Sequence, residues 1–414
     1  MSERTFEPLW DIVEEHLDEA EFLWEQWEAS LVAPNYAMRE VEEGPEARLM
    51  AHIDGLVVNG PLVAERLLLP TITDIDAEPT RVRAAALALL QTPGAEGFEA
   101  VFAELHSSPA QRPELARALE CSELGPLRPR LESMLSAEDI DLQNTAARIL
   151  AFHGEALDEL VPRMLASDRA VDRMLGLRML PRLDSASRHA MELMSALGSD
   201  DPDVRDAALT AGVRLNLPNA WRCAQALVGS ADPGAGHALL LLALRGDPSD
   251  HAAILATATS LGGPGLWALG FLGTVDAVEA AMPLLDDEAH ARLAGEVLTA
   301  VTGIDLEDEK LARVPPEEEA LLDRPEDHLP LPDALGLLMW WRKQRPRFAV
   351  DQRYIAGRPR DAATLLEALQ EGPMRRRAVQ LLALQLESPA SRRPEFEPMA
   401  PIHRQRRALA DLQA

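Results

Sequence analysis

Aromatic residues make up only 4% of this 414-residue chain. A core so poor in rings has to be filled by Leu and Ala, which form helices readily and strands reluctantly, so an all-β fold is excluded. Basic residues are also scarce. Forty stand against 68 acidic ones, the formal net charge is -28, and only Lys310 and Lys343 are lysines. That balance repels phosphate backbones and anionic headgroups, which argues against a nucleic-acid binder or a membrane-surface protein. Two cysteines, Cys121 and Cys223, cannot form a disulfide framework and read as small buried hydrophobes in a reducing compartment. No uncharged apolar run approaches the roughly 20 residues that span a bilayer; Leu239–Leu244 and Leu337–Trp341 stop far short. The acidic start, MSERTFEPLWDIVEEHLDEAE, has neither the basic nor the apolar region of a signal peptide, so a cytoplasmic location is expected. Apolar residues at 47% rule out disorder throughout.

What is present is a repeat. In Ser199–Leu217, SDDPDVRDAALTAGVRLNL, Asp201 suits a helix cap, Pro202 its first turn, and Val204, Ala207, Ala208 and Ala211 share a face. Glu78–Leu90, EPTRVRAAALALL, repeats the pattern with Val82 in the place of Val204. Weaker copies put Leu115, Leu142 and Val171 there. The separations of these positions are 33, 27, 29 and 33 residues, which fits two short helices and two turns per unit. Second helices are expected at Ala95–Leu105, Leu124–Leu135, Ala156–Leu165, Ala186–Leu197 and Asn219–Leu227. Less regular pairs follow, up to Asp287–Val301.

The ends differ. Phe6–Val32 reads as one amphipathic helix with Leu9, Val13, Leu17, Ala20, Trp24, Trp27 and Leu31 on a face, and helices at Pro45–Val58 and Pro61–Leu69 follow. Asp305–Pro332, rich in acid and proline, reads as an extended connector. Helices are expected again at Pro332–Arg345, Asp361–Gln370, Met374–Leu386 and near the end. The organisation is therefore a helical N-terminal cap (1–76), a repeat array (77–303), a connector (304–331) and a helical C-terminal module (332–414).

The D-P-x-V-R-x-A-A pattern at Asp201–Ala208, recurring in phase over roughly 78–303, resembles HEAT repeats of the short bacterial form also found in phycobilin-lyase-like proteins. The resemblance implies an all-α, HEAT-like α-solenoid. A wider resemblance rests on the order of MAHIDGL, VTGIDL, the acid-proline connector, the Trp340-Trp341 helix, RYIAGRP and RRRAVQLLAL. It is to a family of bacterial HEAT-repeat proteins with no assigned activity, encoded near type VI secretion spike and spike-tip genes. That resemblance implies a pathway rather than a reaction.

The search for chemistry finds little. The ten histidines show no H-x-x-x-H spacing and there is no C-x-x-C, so no metal site is expected. No His-Glu dipeptide occurs, unlike in the HEAT-like deoxyhypusine hydroxylases. There is no phosphate loop and no G-x-S-x-G elbow; Gly262-Gly263-Pro264-Gly265 reads as a turn. Residues 47–341 carry net -23, which speaks against the basic groove of a HEAT-like DNA glycosylase, whereas residues 342–414 carry +7. The expectation is a non-catalytic protein-binding scaffold or adaptor with no cofactor. Its partner would be a protein, by resemblance a secretion spike component or an effector. An immunity-type toxin inhibitor is the alternative, and a repeat-scaffold lyase or hydrolase is a further one. Binding candidates are Trp340, Trp341, Arg353, Tyr354, Arg375, Arg376 and Arg377, because aromatic and Arg side chains dominate interface energetics. The same arginines could instead dock the basic module on the acidic array.

Overall fold

A computed structural model describes residues 8–230, 232–314, 324–388 and 393–412. The fold is all-α, and its helices pack mostly on sequence neighbours in a helical-repeat arrangement. The described residues form two compact units. One is built from 8–32, 36–157 and 395–412, the other from 33–35 and 158–394. This division cuts through the array expected at 77–303 and through the C-terminal module. The connector's residues 315–323, and Arg392 of the basic tail, lie outside the described residues.

In the first unit the helix Trp10–Ser30 buries Val13, Leu17, Ala20, Leu23, Trp24 and Trp27 at helical spacing. Leu9, expected on that face, is exposed because it precedes the first turn. The helix packs on Ala47–Val58 and on Pro79–Gln91. Pro45 has no N–H to donate, and the turn around it, Glu42–Glu46, widens to a π-helix that carries Glu46 into the interior. Three first helices of the repeat then stack: Pro79–Gln91, Arg112–Cys121 and Ile140–Phe152. Their small inward residues, such as Ala85, Ala116 and Ala146, let the helix axes approach closely.

In the second unit five first helices stack in sequence order: Ala170–Met179, Pro202–Arg214, Gly236–Arg245, Gly263–Leu272 and Ala291–Thr302. Asp201 caps Pro202–Arg214 by accepting from Asp203 N and Val204 N, and Asp139 does the same for Ile140–Phe152 in the first unit. Two expectations need correction. Val171 is 67% exposed, and the buried set is Asp172, Gly176, Leu177 and Met179, so the inward phase starts one residue later. Asp172 tolerates this place by accepting a hydrogen bond from Ser167 Oγ at 2.8 Å. The second helix expected at Ala156–Leu165 is shortened to Val161–Leu165. The connector's described ends pair as a short antiparallel ladder, Ala312–Arg313 with Leu331–Pro332.

Among the described residues no single helix is long and apolar enough to cross a membrane. Met38–Val58 and Pro61–Thr73 would be so together, but they are bent by 97° and bury Leu49, Ile53, Leu56, Leu68 and Ile72 in the protein core.

Candidate functional site

Most of the side chains singled out in the sequence lie in the second unit, and their surroundings start from helix ends. An α-helix leaves its last carbonyls without intrahelical partners. Three successive first helices end at Gly246, Gly273 and Gly303, each left-handed, with φ of 64°, 71° and 72°. Residues 353–360 run across these three ends. Arg353 donates from Nε to Leu272 O (2.9 Å), from Nη2 to Ala243 O (2.6 Å) and Phe271 O (3.0 Å), and from Nη1 to Leu244 O (3.2 Å). Tyr354 N donates to Gly273 O at 2.7 Å, Ala356 N to Ala300 O at 2.8 Å and Gly357 N to Val301 O at 2.9 Å. A Cβ at Gly246 would collide with the Arg353 guanidinium; at Gly273 and Gly303 it would lie 2.5 Å from Tyr354 O and from Ala356 O. Glycine is thus required twice over, for the backbone conformation and for the close approach. Burial opposes the charge on Arg353, but the guanidinium faces the negative ends of two helix dipoles.

The arginine triplet also has partners within its unit. Arg376 is 7% exposed, donates from Nη2 to Gly270 O at 2.9 Å, sits 4.0 Å over the Phe271 ring and faces Glu296 at 3.4 Å. Arg375 stacks 4.5 Å over Trp267 and reaches Glu296 and Glu326. Arg377, 1% exposed, donates to Leu369 O. Arg376 is therefore occupied in attaching the module and Arg377 in bracing it internally, and both are buried. Tyr354 is buried, and its hydroxyl accepts from Ala349 N at 2.8 Å.

The two adjacent tryptophans diverge. The helix Ala334–Gln344 buries Ala334, Leu337 and Trp341, spaced three and four residues apart. Trp341 stacks on Phe348 at 5.6 Å, and Phe348 meets Tyr354 edge-on at 5.0 Å. The other side of the same helix leaves Leu335 69% and Met339 63% exposed, one turn apart, with Arg342 and Lys343 exposed on the next turn and Trp340 half-buried at the flank.

The first unit holds a feature that the sequence does not announce. Its helix Ile402–Asp411 is anchored by Glu46, which accepts from Ile402 N at 2.9 Å and from Trp27 Nε1 at 2.9 Å. Arg117, stacked on Trp27 and Phe152, donates to Met399 O and to Glu28. Arg404 donates to Glu120 O at 2.6 Å. Beside this anchor lies a cavity of about 300 Å³, with Trp24, Trp27, Leu49, Leu87, Phe98 and Leu127 in its walls. Glu46, Cys121, Ser122 and His403 also border it. Burial raises the Glu46 carboxyl above its usual range, against the pull of its hydrogen bonds. Burial likewise pushes the Cys121 thiol up to about 12, with Arg117 opposing, so it is no ready thiolate. The only hint in the sequence was Trp24 and Trp27 three apart on an inward face. Glu46 and Cys121 come from elements distant along the chain.

Among the described residues no group of three or more His, Cys, Asp or Glu side chains is placed to hold a metal ion. His16 and His52 approach ring to ring, 3.1 Å between their Nδ1 atoms, and burial lowers His52. Set against known proteins, the chain matches no family model and no curated protein.

Proposed function

We propose that this chain is a non-catalytic protein-binding scaffold of the HEAT-repeat kind, and that it reads its partner with the outer face of Ala334–Gln344. The observation that carries the reading is the stripe Leu335, Met339, Arg342 and Lys343 beside half-buried Trp340. Buried apolar anchors flanked by Arg, with Trp and Met enriched, are the composition of interface centres. An isolated exposed Leu means little, but Leu335 and Met339 fall on one helix face and the module around them is firmly attached. The basic rim, in a segment carrying +7, favours a partner with an acidic border. By the resemblance of the sequence, that partner is a type VI secretion spike component or its cargo.

The test is quantitative affinity capture from native cells with the full chain, run in parallel with Leu335→Asp/Met339→Asp. Because both positions are exposed, the double variant should keep its denaturation midpoint and lose the specific partner. A partner recovered equally by both proteins contradicts the assignment. Purified spike and effector proteins, titrated against the wild type, test the pathway separately.

A further inference from the structure

The exposed residues of Ala334–Gln344 follow one ridge. Leu335 and Met339 are one turn apart, and Arg342 and Lys343 come on the next turn, so an apolar half leads into a basic half over about 12 Å of helix. The basic half is unbalanced. Arginines around it in the same unit are engaged: Arg345 pairs with Glu279 at 2.7 Å, Arg358 with Glu367 at 2.8 Å, Arg360 with Glu387 at 2.6 Å, and Arg375 and Arg376 share Glu296. Among the described residues Arg342 and Lys343 have no ion-pair partner. Arg347, exposed just beyond the helix end, donates only to Gln344 Oε1 at 3.0 Å. The dipole of the helix favours cations at its C-terminus, which accounts for their position. It does not account for three unpaired cations beside an exposed apolar ridge in a chain of net charge -28, where carboxylates are in excess.

We infer that the partner meets this ridge with an amphipathic α-helix, whose apolar pair covers Leu335 and Met339 and whose cluster of carboxylates faces Arg342, Lys343 and Arg347. The inference rests on the protein-binding reading of the same face and adds the chemistry and shape of what binds there. Shape follows from the ridge. Two apolar side chains in line along a straight helix fit the groove between side-chain rows of a second helix, and a helix repeats its own apolar pair at the same one-turn interval. Charge follows from the three cations, which a row of carboxylates complements and a neutral surface leaves unused. Anionic headgroups would also suit cations beside apolar residues, but a chain of net charge -28 is repelled by an anionic bilayer. A second copy of the chain offers no carboxylate on this ridge, only the same Leu335, Met339, Arg342 and Lys343.

Three fluorescent peptides of about 16 residues, titrated against the full chain by anisotropy, test it. The first is a side-chain-stapled helix with two leucines one turn apart and three glutamates on the next turn. The second replaces the glutamates by glutamines, and the third is the acidic sequence unstapled and broken by a central proline. The acidic helix should bind about tenfold more tightly than either of the others, and its advantage over the glutamine helix should shrink as NaCl rises from about 50 to 300 mM. Arg342→Gln/Lys343→Gln, at exposed positions, should keep its denaturation midpoint and lose that advantage. Equal binding of the glutamate and glutamine helices, equal binding of the broken peptide, an advantage that survives Arg342→Gln/Lys343→Gln, or no binding up to about 1 mM overturns the inference. So does co-sedimentation of the full chain with phosphatidylserine vesicles, or self-association that Leu335→Asp/Met339→Asp abolishes. The underlying reading fails differently, through native partner capture that Leu335→Asp/Met339→Asp leaves unchanged. A partner lost in that variant while the peptides are not distinguished removes the acidic helix and keeps the scaffold.

Discussion

The two units cover their rows of first helices with different chemistry. In the second unit the covering segment is tied to backbone: Arg353, Tyr354, Ala356 and Gly357 bond to carbonyls at the ends of three successive helices, across glycines that leave no room for a Cβ. In the first unit the covering helix Ile402–Asp411 is held chiefly by charged side chains, Glu46, Arg117, Glu28 and Arg404, and a cavity remains beside it. Backbone attachment demands one register and leaves no slack, because each carbonyl is fixed by its own helix. Side-chain attachment reaches over a gap and so can tolerate a hollow. The difference separates a segment held in a single register from a helix with a hollow beside it.

The comparison can be broken in four places. The largest effect is expected for Arg353→Ala, which strips donors from the ends of two helices at once. It should cost about 3–5 kcal/mol in chemical denaturation, and Arg353→Lys should recover little, because one ammonium cannot span the forked set of carbonyls. Next come the glycines. Gly273→Ala combines a left-handed backbone with a Cβ 2.5 Å from Tyr354 O and should cost about 2–4 kcal/mol. Gly154→Ala, at the end of the helix Ile140–Phe152 in the first unit, has φ of 89° but open space around it, so it should cost only about 1 kcal/mol. Equal costs would mean that close approach adds nothing.

Ala208→Leu overpacks a buried contact within the repeat and should lower stability by about 1–3 kcal/mol; an unchanged midpoint would place Ala208 on the wrong face. A further effect is one of pH. His153 in the first unit is pulled down to about 4, first by burial and then by the charge of Arg404. From its ordinary value of 6.5 down to about 4 the unfolded chain takes up a proton that the folded one refuses. Stability should therefore be full above that window and fall as pH drops through it, at no more than about 1.4 kcal/mol per pH unit from this group. Urea titrations of the wild type and His153→Gln at pH 7 and 5 measure it, and parallel losses in the two proteins would remove His153 from the account.

The fold was largely legible because its signals are local. Asp201 followed by Pro202 caps a helix wherever it stands, and the recurrence of Val82, Leu115, Leu142 and Val204 follows from helix length alone. Val171 misled because an apolar residue stood beside the inward position, which Asp172 takes with a hydrogen bond that no periodicity reveals. The site was less legible. Trp341, Tyr354 and Arg375–Arg377 are chemically capable of binding, and capability does not say which way a side chain points. Gly246, Gly273 and Gly303, 27 and 30 residues apart, carry the period of the array and could have located the row of helix ends. Leu335 and Met339 could not stand out in a Leu-rich chain until the burial of Leu337 and Trp341 fixed the outer side of their helix. The cavity gathers Trp24, Glu46, Cys121 and His403 from four segments, and no local pattern joins them.

Hydrogen exchange at the amides of Tyr354, Ala356 and Gly357 tests the backbone attachment most directly. In the wild type these amides should exchange as slowly as those in the middle of Gly263–Leu272, opening only when the second unit unfolds. In Arg353→Ala they should exchange at least about a hundredfold faster, through local release of the segment, while amides of Pro79–Gln91 in the first unit keep their rates. Rapid exchange at all three positions in the wild type would contradict the account.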